Sequence, residues 1–546
     1  MKIRAYAVAA PDSVSGFFCI SSWLRIICAA LTLLSLSAQA QSVESALQTE
    51  IQALSSQKDS RGEGAIAAKK LITQYYSRNA YQPVWTDERR AALRALVRNS
   101  TSHGLNPADY HVELLDQPVQ NLPAELARRE ILYTDALARL AYHLRFGKVN
   151  PHEIYAEWNY QRSLSDIDPV SALDALVKAP DLEKAVESFG PQLPLYAALR
   201  SALVQYAAIA NAGGWPKVPE GPPLKPSMRD DIRVPALRAR LQASGDLPQT
   251  QPVDPNLYDE NLQQAVAHFQ ARHGMERDGA IGKQTLAELN VPVEKRIDQI
   301  KVNLERIRWV AYALPSEFIL VDIAGFDALM FREGHIVWRS RAMVGKPYRK
   351  TPVFRAEMTQ VVLNPNWTVP PTILKQDVLP KYKNNPGYLA SKGMRLLDER
   401  GNPTTGGWRP GLRVVQPPGP ENPLGRYKFD MPNDHAVYLH DTPSKEKFVK
   451  EARAFSSGCI RLEKARELAL LLLSGAPQGT EQQIDEVLAT NKTKMIALQR
   501  KIPVLILYLT AEAHEQEVKF RPDIYARDAR LIAALKEPFR VSWKTN

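Results

Sequence analysis

The sequence predicts a multidomain α+β chain: a helical scaffold domain, a small three-helix module, and a mostly-β domain interrupted by a long lid-like insertion. Three observations predict it. Apolar residues recur at helical spacing through residues 42–210, as in Leu47, Ile51 and Leu54. Beyond residue 312 the pattern changes to dense apolar runs separated by glycine-containing turns, which is how strands read. At 546 residues the chain is also too long for one ordinary core.

Residues 1–40 read as an export signal. Lys2, Arg4 and Arg25 precede the apolar stretch Ile26–Leu36, and Ala38-Gln39-Ala40 follows as a small-x-small cleavage site. The apolar stretch is too short to span a bilayer, and no later stretch approaches that length. The expected product is therefore exported, with no transmembrane segment beyond the signal.

Residues 42–230 form the helical scaffold domain. Leu132–Phe146 is rich in Ala, Leu and Tyr with few breakers, and Pro83-Val84-Trp85 and Gly104–Pro107 are turns. His103, His111, His143 and His152 are scattered and read as surface or satisfied core residues. The Pro/Gly-rich run Gly213–Pro223 closes this domain as a linker. Residues 231–291 form the three-helix module, with apolar faces Val234/Leu237/Leu241 and Leu262/Val266/Phe269, and with Gly245 and Gly274 as stops. The order Ala265–Gln270, His273-Gly274, Asp278-Gly279, Ile281-Gly282, Leu289-Asn290 resembles the peptidoglycan-binding repeat, which implies a cell-wall glycan as partner.

Residues 292–312 connect as a charged amphipathic helix, predicted over 293–311 with Ile297, Ile300, Leu304 and Ile307 on its apolar side. Residues 313–546 are the mostly-β domain. Strands are predicted at Phe318–Ile323, Ala328–Phe331, His335–Trp338, Gln360–Leu363, Ala436–Leu439 and Pro503–Leu509, with a helix at Glu463–Leu473. Residues 375–425, rich in Pro, Gly and Asn, interrupt it. A loop this long inside a compact domain is expected to act as a lid over a cleft, and Tyr388 and Trp408 give it something to pack with.

Of the three cysteines, Cys19 and Cys28 lie in the signal, so Cys459 stands alone in the mature chain and has no internal disulfide partner. A lone cysteine is commonly buried and inert. Here it follows Ser456-Ser457-Gly458, and His440 lies nineteen positions upstream. A thiol becomes a good acyl acceptor once a base takes its proton, and a small residue and a glycine before it leave room for a carbonyl beside backbone N–H groups. The net charge is +11, and +9 without residues 1–40, which in an exported chain suits anionic envelope polymers rather than nucleic acid. The sequence has no His-Glu-x-x-His, no Cys-x-x-Cys, no phosphate-binding Gly-x-x-x-x-Gly-Lys loop and no Gly-x-Ser-x-Gly elbow. Neither metal nor cofactor is expected.

His440, fifteen residues, then Ser456-Ser457-Gly458-Cys459-Ile460-Arg461 resembles the signature of the L,D-transpeptidases with a YkuD-type catalytic domain. Val344-Gly345-Lys346, Thr351-Pro352 and Asn364–Pro370 match further blocks of that domain. The layout resembles the large three-domain periplasmic enzymes of Gram-negative bacteria, the YcbB type. Most YkuD members carry histidine at the position of Ser457, so His440 is left to act as the base unaided. The resemblance implies that Cys459 attacks a diaminopimelate carbonyl in a tetrapeptide stem, expels D-alanine and forms a thioester. His440 is the expected base, with Gly458, Ser457, Ser456 and Tyr438 as oxyanion or orienting groups. Arg461, Trp367 and Asn364 are the expected substrate contacts, with a loop anchor as the alternative for Arg461 and an architectural role as the alternative for Trp367 and Asn364, and His435 is the spare base. The acceptor implied is a diaminopimelate amine. Water, a free D-amino acid or a lipoprotein lysine are alternatives, and a non-catalytic wall-binding scaffold is the reading from another class. Stem peptides and glycan strands are the expected partners, with wall-synthesis proteins as further ones.

Overall fold

The computed structural model describes residues 42–56, 64–160, 162, 168–515 and 517–539; the predicted signal at 1–40 lies outside the described residues. Helices Val43–Ser56, Lys69–Arg78, Asp87–Asn99, Pro123–Phe146, Pro169–Lys178 and Leu182–Glu187 surround one core built from Leu47, Ile51, Ile72, Tyr76, Val97 and Leu137. Prolines stand at the first turns of Pro123–Phe146, Pro169–Lys178 and Pro194–Asn211, where a missing N–H costs no intrahelical bond. Many prolines here therefore mark helix starts as well as linkers. Of the scaffold histidines, His103 and His111 are satisfied core groups: His103 bonds Tyr196 at 2.9 Å and Glu187 at 3.0 Å, and His111 bonds Asp135 at 2.8 Å. His143 is buried, with Nδ1 bonded to the Tyr110 hydroxyl at 2.9 Å and Nε2 without a partner among the described residues, and His152 is exposed.

Helices Arg233–Ala243, Glu260–Arg272 and Lys283–Leu289 form the module around Val234, Leu237, Leu262, Val266 and Phe269. Asp259 caps the second by accepting the Leu262 N–H at 2.9 Å. The linker is drawn into the module: Val218 belongs to its core, and the Val218 N–H donates to Asn290 Oδ1 at 2.9 Å.

Helix Val293–Ala311 has the predicted bounds, but its charged side does not face water. Arg296, Asn303, Glu305, Arg306 and Arg308 are all buried. The Glu305–Arg308 ion pair has no solvent exposure on either side chain. Glu305 also accepts the Val149 N–H at 2.7 Å and the Trp309 indole N–H at 3.1 Å, while Arg308 donates to the His103 carbonyl at 2.8 Å. Charges buried this completely persist because each is paired and hydrogen-bonded.

The catalytic part is built on β1 (Glu317–Asp322), β2 (Asp327–Arg332), β3 (His335–Gly345), β4 (Phe354–Leu363), β5 (Trp367–Thr368), β6 (Arg395–Leu397), β7 (Arg413–Gln416), β8 (Tyr427–Asp430), β9 (Leu439–His440), β10 (Ala454–Ser456), β11 (Ile460–Leu462), β12 (Lys494–Leu507), β13 (Ala511–His514) and β14 (Glu517–Phe520). The order β3-β11-β9-β8-β4-β12-β1-β2 returns to β3, because β2 also pairs with β3, so the sheet closes on itself. β10 runs parallel to the end of β3. Val321, Met330, Val344, Phe354, Leu439, Ile460 and Ile506 belong to its core, with helix Ala465–Leu473 packed alongside through Leu468 and Ala469.

Four strands differ from expectation. β3 runs on to Gly345, past the predicted Trp338, and β4 begins at Phe354, before the predicted Gln360. β12 begins nine residues before the predicted Pro503, because its first half is mostly solvent-facing and lacks an apolar run. β9 begins only at Leu439, because Ala436 takes the left-handed conformation (φ 53). The insertion is a folded cap rather than an extended loop. β5-β7-β6 form its own sheet, and Val369, Val378, Leu389, Leu396 and Val414 form its own core, with Tyr388 and Trp408 packed against it. Because β5 contributes, the cap starts before residue 375.

The β13–β14 hairpin, absent from the sequence-based expectations, ties the domains together. Its Ala511, Val518 and Phe520 pack with Leu199, Leu203 and Tyr206 of helix Pro194–Asn211, and Arg272 of the module donates to the Val518 carbonyl at 3.2 Å. No helix among the described residues is long and apolar enough to cross a membrane.

Candidate active site

β9 and β11 are parallel neighbours, and their register sets Ile460 beside Leu439 and Arg461 beside His440. With a side-chain period of two, Tyr438 and His440 share a face with Cys459 and Arg461. The Tyr438 and His440 rings lie 5.6 Å apart.

His440 is buried and its Nδ1–H donates to the Asp441 carbonyl at 2.5 Å, which leaves Nε2 as the free acceptor. Burial, then the positive charge of Arg461, pushes its pKa down to about 3. Burial likewise pushes the Cys459 thiol up, against the Tyr438 backbone N–H and hydroxyl, which favour the thiolate. At rest both groups are therefore neutral. The thiol donates to the Ala436 carbonyl 3.8 Å away rather than to the imidazole. That carbonyl is aimed by an Asn433 turn, in which the side-chain Oδ1 accepts the His435 N–H at 3.0 Å and the Val437 N–H at 3.2 Å.

Tyr438 is coupled electrostatically to both sides: its phenol favours the Cys459 thiolate, and Trp367 beside it favours the ionised phenol. Arg461 makes no ion pair among the described residues and its Nε is buried without a partner. It is a cation beside the thiol and imidazole with no carboxylate of its own.

The nucleophile loop is held from both ends. Ser456 Oγ donates to the Cys459 carbonyl at 2.5 Å and accepts the Gly458 N–H at 3.1 Å. Gly458 has φ 120, a conformation that favours glycine. Its carbonyl accepts from Thr351 Oγ1 at 2.8 Å, and the same oxygen accepts the Gly345 N–H at 2.9 Å. A Cβ at Gly345 would lie 2.0 Å from the Arg349 carbonyl, so the loop from β3 can fold back on itself only with glycine there. Tyr525 completes the clasp, donating to the Gly345 carbonyl at 2.6 Å and accepting the Thr351 N–H at 3.1 Å. The Gly458–Cys459 peptide is thereby oriented: with its carbonyl turned to Thr351, the Cys459 N–H points the opposite way. That N–H makes no hydrogen bond among the described residues.

The remaining expected site residues are placed elsewhere. Ser457 is exposed, and its Oγ accepts from Arg349 at 2.9 Å, so it does not orient His440. The Gly458 N–H is committed to Ser456. Asn364, expected at the substrate or in an architectural role, is an anchor: its amide donates to the carbonyls of Val487, Leu488 and Lys492 at 3.0, 3.2 and 3.3 Å. His435 is exposed, and its ring packs edge-on to Phe354 at 4.7 Å. Thr351, Tyr525 and Arg349 were not singled out for these roles. Thr351 belongs to the Thr351-Pro352 block, but nothing local in the sequence marks Tyr525 or Arg349. Among the described residues, no cluster of three or more His, Cys, Asp or Glu could hold a metal ion.

Comparison with known proteins identifies the domains. Residues 316–481 match the family described as L,D-transpeptidase catalytic domain (YkuD), residues 70–203 match a scaffold domain, and residues 231–289 match a domain described as "Putative peptidoglycan binding domain". A Haemophilus influenzae protein named "Putative L,D-transpeptidase" is 34% identical over 267 residues, which cover 46% of this chain and 53% of that one. This chain thus spans about half the length of that relative. Among solved structures, an L,D-transpeptidase from Mycobacterium smegmatis is 13% identical, over 35% of this chain and 58% of its own, with a TM-score of 0.18. The L,D-transpeptidase from Xylanimonas cellulosilytica is 16% identical, over 53% of this chain and 100% of its own, with a TM-score of 0.17.

Proposed function

We propose that this chain, which carries a YkuD-type L,D-transpeptidase catalytic domain beside scaffold and peptidoglycan-binding domains, cross-links cell-wall stem peptides by acyl transfer through Cys459. The Cys459 thiol turns from the Ala436 carbonyl and gives its proton to His440 Nε2 as sulfur attacks the diaminopimelate carbonyl of a tetrapeptide stem. The Cys459 N–H holds the oxyanion. Collapse expels D-alanine, which takes the proton back from His440, and leaves a thioester. A diaminopimelate side-chain amine of a second stem then attacks, passes its proton to His440 and displaces the thiolate, which recovers that proton. Arg461, unpaired beside both groups, binds a stem carboxylate. The peptidoglycan-binding and L,D-transpeptidase domains support a reaction at the peptidoglycan, outside the cytoplasm.

The observation that carries this reading is the imidazole held at Nδ1 by the Asp441 carbonyl, with Nε2 left free on the face shared with Cys459 and Arg461. The test is mass spectrometry of muropeptides after incubation with disaccharide-tetrapeptides. A cross-linked dimer that has lost D-alanine is expected from the native protein and none from Cys459→Ala. No dimer from the native protein, or the same dimer from Cys459→Ala, overturns it. Trimmed or exchanged stems in place of the dimer would assign water or a free D-amino acid as acceptor.

A further inference from the structure

Arg349 follows the Gly345-Lys346 block at the end of β3 and touches two segments that have no other reason to know of each other. Its Nη1 donates to Ser457 Oγ at 2.9 Å, two residues before the nucleophile. Its Nη2 donates to Gln376 Oε1 at 2.7 Å and Asp377 Oδ1 at 3.0 Å, and Nη1 also donates to Asp377 Oδ2. Gln376 and Asp377 lie on the π-helical turn Leu374–Val378 inside the cap, whose Val378 belongs to the cap core. Such turns are rare and cluster at functional sites. The two-pronged contact with Asp377 uses the planar fork that distinguishes arginine from lysine.

We propose that Arg349 is a positioning residue that fastens the cap to the nucleophile loop, so that the placement of the cap and the setting of Ser457-Gly458-Cys459 are one coupled variable. The role attached to Cys459 rests on the function proposed above; the coupling itself does not. Ser457 is the loop's handle for this clamp. Asp377 is the cap's handle, its carboxyl held below the usual carboxylate range first by the hydrogen bond from Arg349. Ser457 and Asp377 do not bond each other, so any energetic coupling between them passes through the guanidinium.

The test is a double-mutant cycle on the full chain, read as the iodoacetamide alkylation rate at the Cys459 peptide. Ser457 is exposed and the Asp377 side chain is 43% exposed, so Ser457→Ala and Asp377→Asn leave the core untouched, and unchanged melting temperatures confirm it. Each single change is expected to speed alkylation about threefold or more, and the double change no further. In an Arg349→Lys background neither change is expected to have an effect, since lysine cannot hold both handles. Effects that multiply in the double variant, that persist in the lysine background, or that are absent for Asp377→Asn overturn the proposal. Alkylation needs no stem peptide. Loss of cross-linking in the native protein would therefore refute the transfer reaction alone, and multiplying effects beside intact cross-linking would refute the clamp alone.

Discussion

Replacing Thr351 by valine removes one hydroxyl while keeping the side-chain shape, and that hydroxyl joins the Gly345 N–H at 2.9 Å to the Gly458 carbonyl at 2.8 Å. Thr351 has no solvent exposure, so water cannot replace it. Leaving a buried polar group unpaired costs about 1–3 kcal/mol, and two are left, so roughly 2–6 kcal/mol of stability is at stake. The functional cost has a separate origin. With the Gly458 carbonyl released, the peptide plane that aims the Cys459 N–H can rotate. Outright loss of an oxyanion donor costs ~3 kcal/mol, and misaiming one should slow acylation about 10- to 100-fold.

The assay is single-turnover formation of the thioester from a disaccharide-tetrapeptide, followed by intact-protein mass, beside a melting curve of the same sample. Thr351→Ser keeps the hydroxyl and is expected to recover most of the acylation rate, whatever its missing methyl costs in stability. A valine variant that melts earlier yet acylates at the native rate would refute the link between Thr351 and the oxyanion donor. So would a serine variant as slow as valine.

Three further outcomes follow from the geometry. Tyr438→Phe removes a hydroxyl that favours the Cys459 thiolate, so the midpoint of the pH–alkylation curve should move to higher pH; a midpoint that stays or falls contradicts the contact. His440 binds a proton in the unfolded chain near its ordinary 6.5 but in the fold only near about 3. The unfolded state therefore takes up more protons between these values, and stability is lost as pH falls through that window at ~1.4 kcal/mol per pH unit per such group. His143 and His273, also buried with lowered pKa values, add to the same acid limb. His440→Gln should make the loss of melting temperature on acidification shallower, and an unchanged slope would refute the neutral buried imidazole. Finally, Glu305→Gln leaves Arg308 charged and buried, and should cost about 3–5 kcal/mol in denaturant unfolding; a loss too small to measure would mean that the pair is dispensable.

What could be read from the sequence was what short-range pattern carries. The period of apolar residues gave helix Val293–Ala311 its bounds, and the spacing of His440 to Cys459 marked two residues that a parallel strand pair does place on one face. The pattern of the same helix misled about its charged side, because periodicity reports which residues are apolar and not which charges have partners. Arg308 is buried against His103 and Tyr196, more than a hundred positions away. Tyr525 and Arg349 were missed for the same reason. Each acts through contacts between segments far apart in the chain, and neither sits in a local motif. For Asn364 the sequence left a substrate contact and an architectural role both open, and its φ of 49 and three carbonyl acceptors make it the anchor that turns the chain out of β4.

The resting state of the cysteine bears on how an unpaired thiol persists in a protein proposed to work outside the cytoplasm. Oxidation and alkylation run through the thiolate, so a nucleophile kept ionised would be exposed to both. Here burial disfavours charge on both partners: it raises the thiol and lowers the imidazole, and the thiol donates to the Ala436 carbonyl instead of to His440. The groups that favour the thiolate, Tyr438 and the charge of Arg461, are already in place but are outweighed. A stem carboxylate binding Arg461 would offset the cation that most depresses His440 after burial itself, and so raise the basicity of Nε2. Substrate binding and activation of the nucleophile then become one event: the site ionises when there is a carbonyl to attack. Arg461→Gln would separate the two effects. It removes the cation that lowers His440, yet should still impair acylation, because the carboxylate it binds is lost. An Arg461→Gln variant that acylates faster than the native protein would show that the cation only restrains the base.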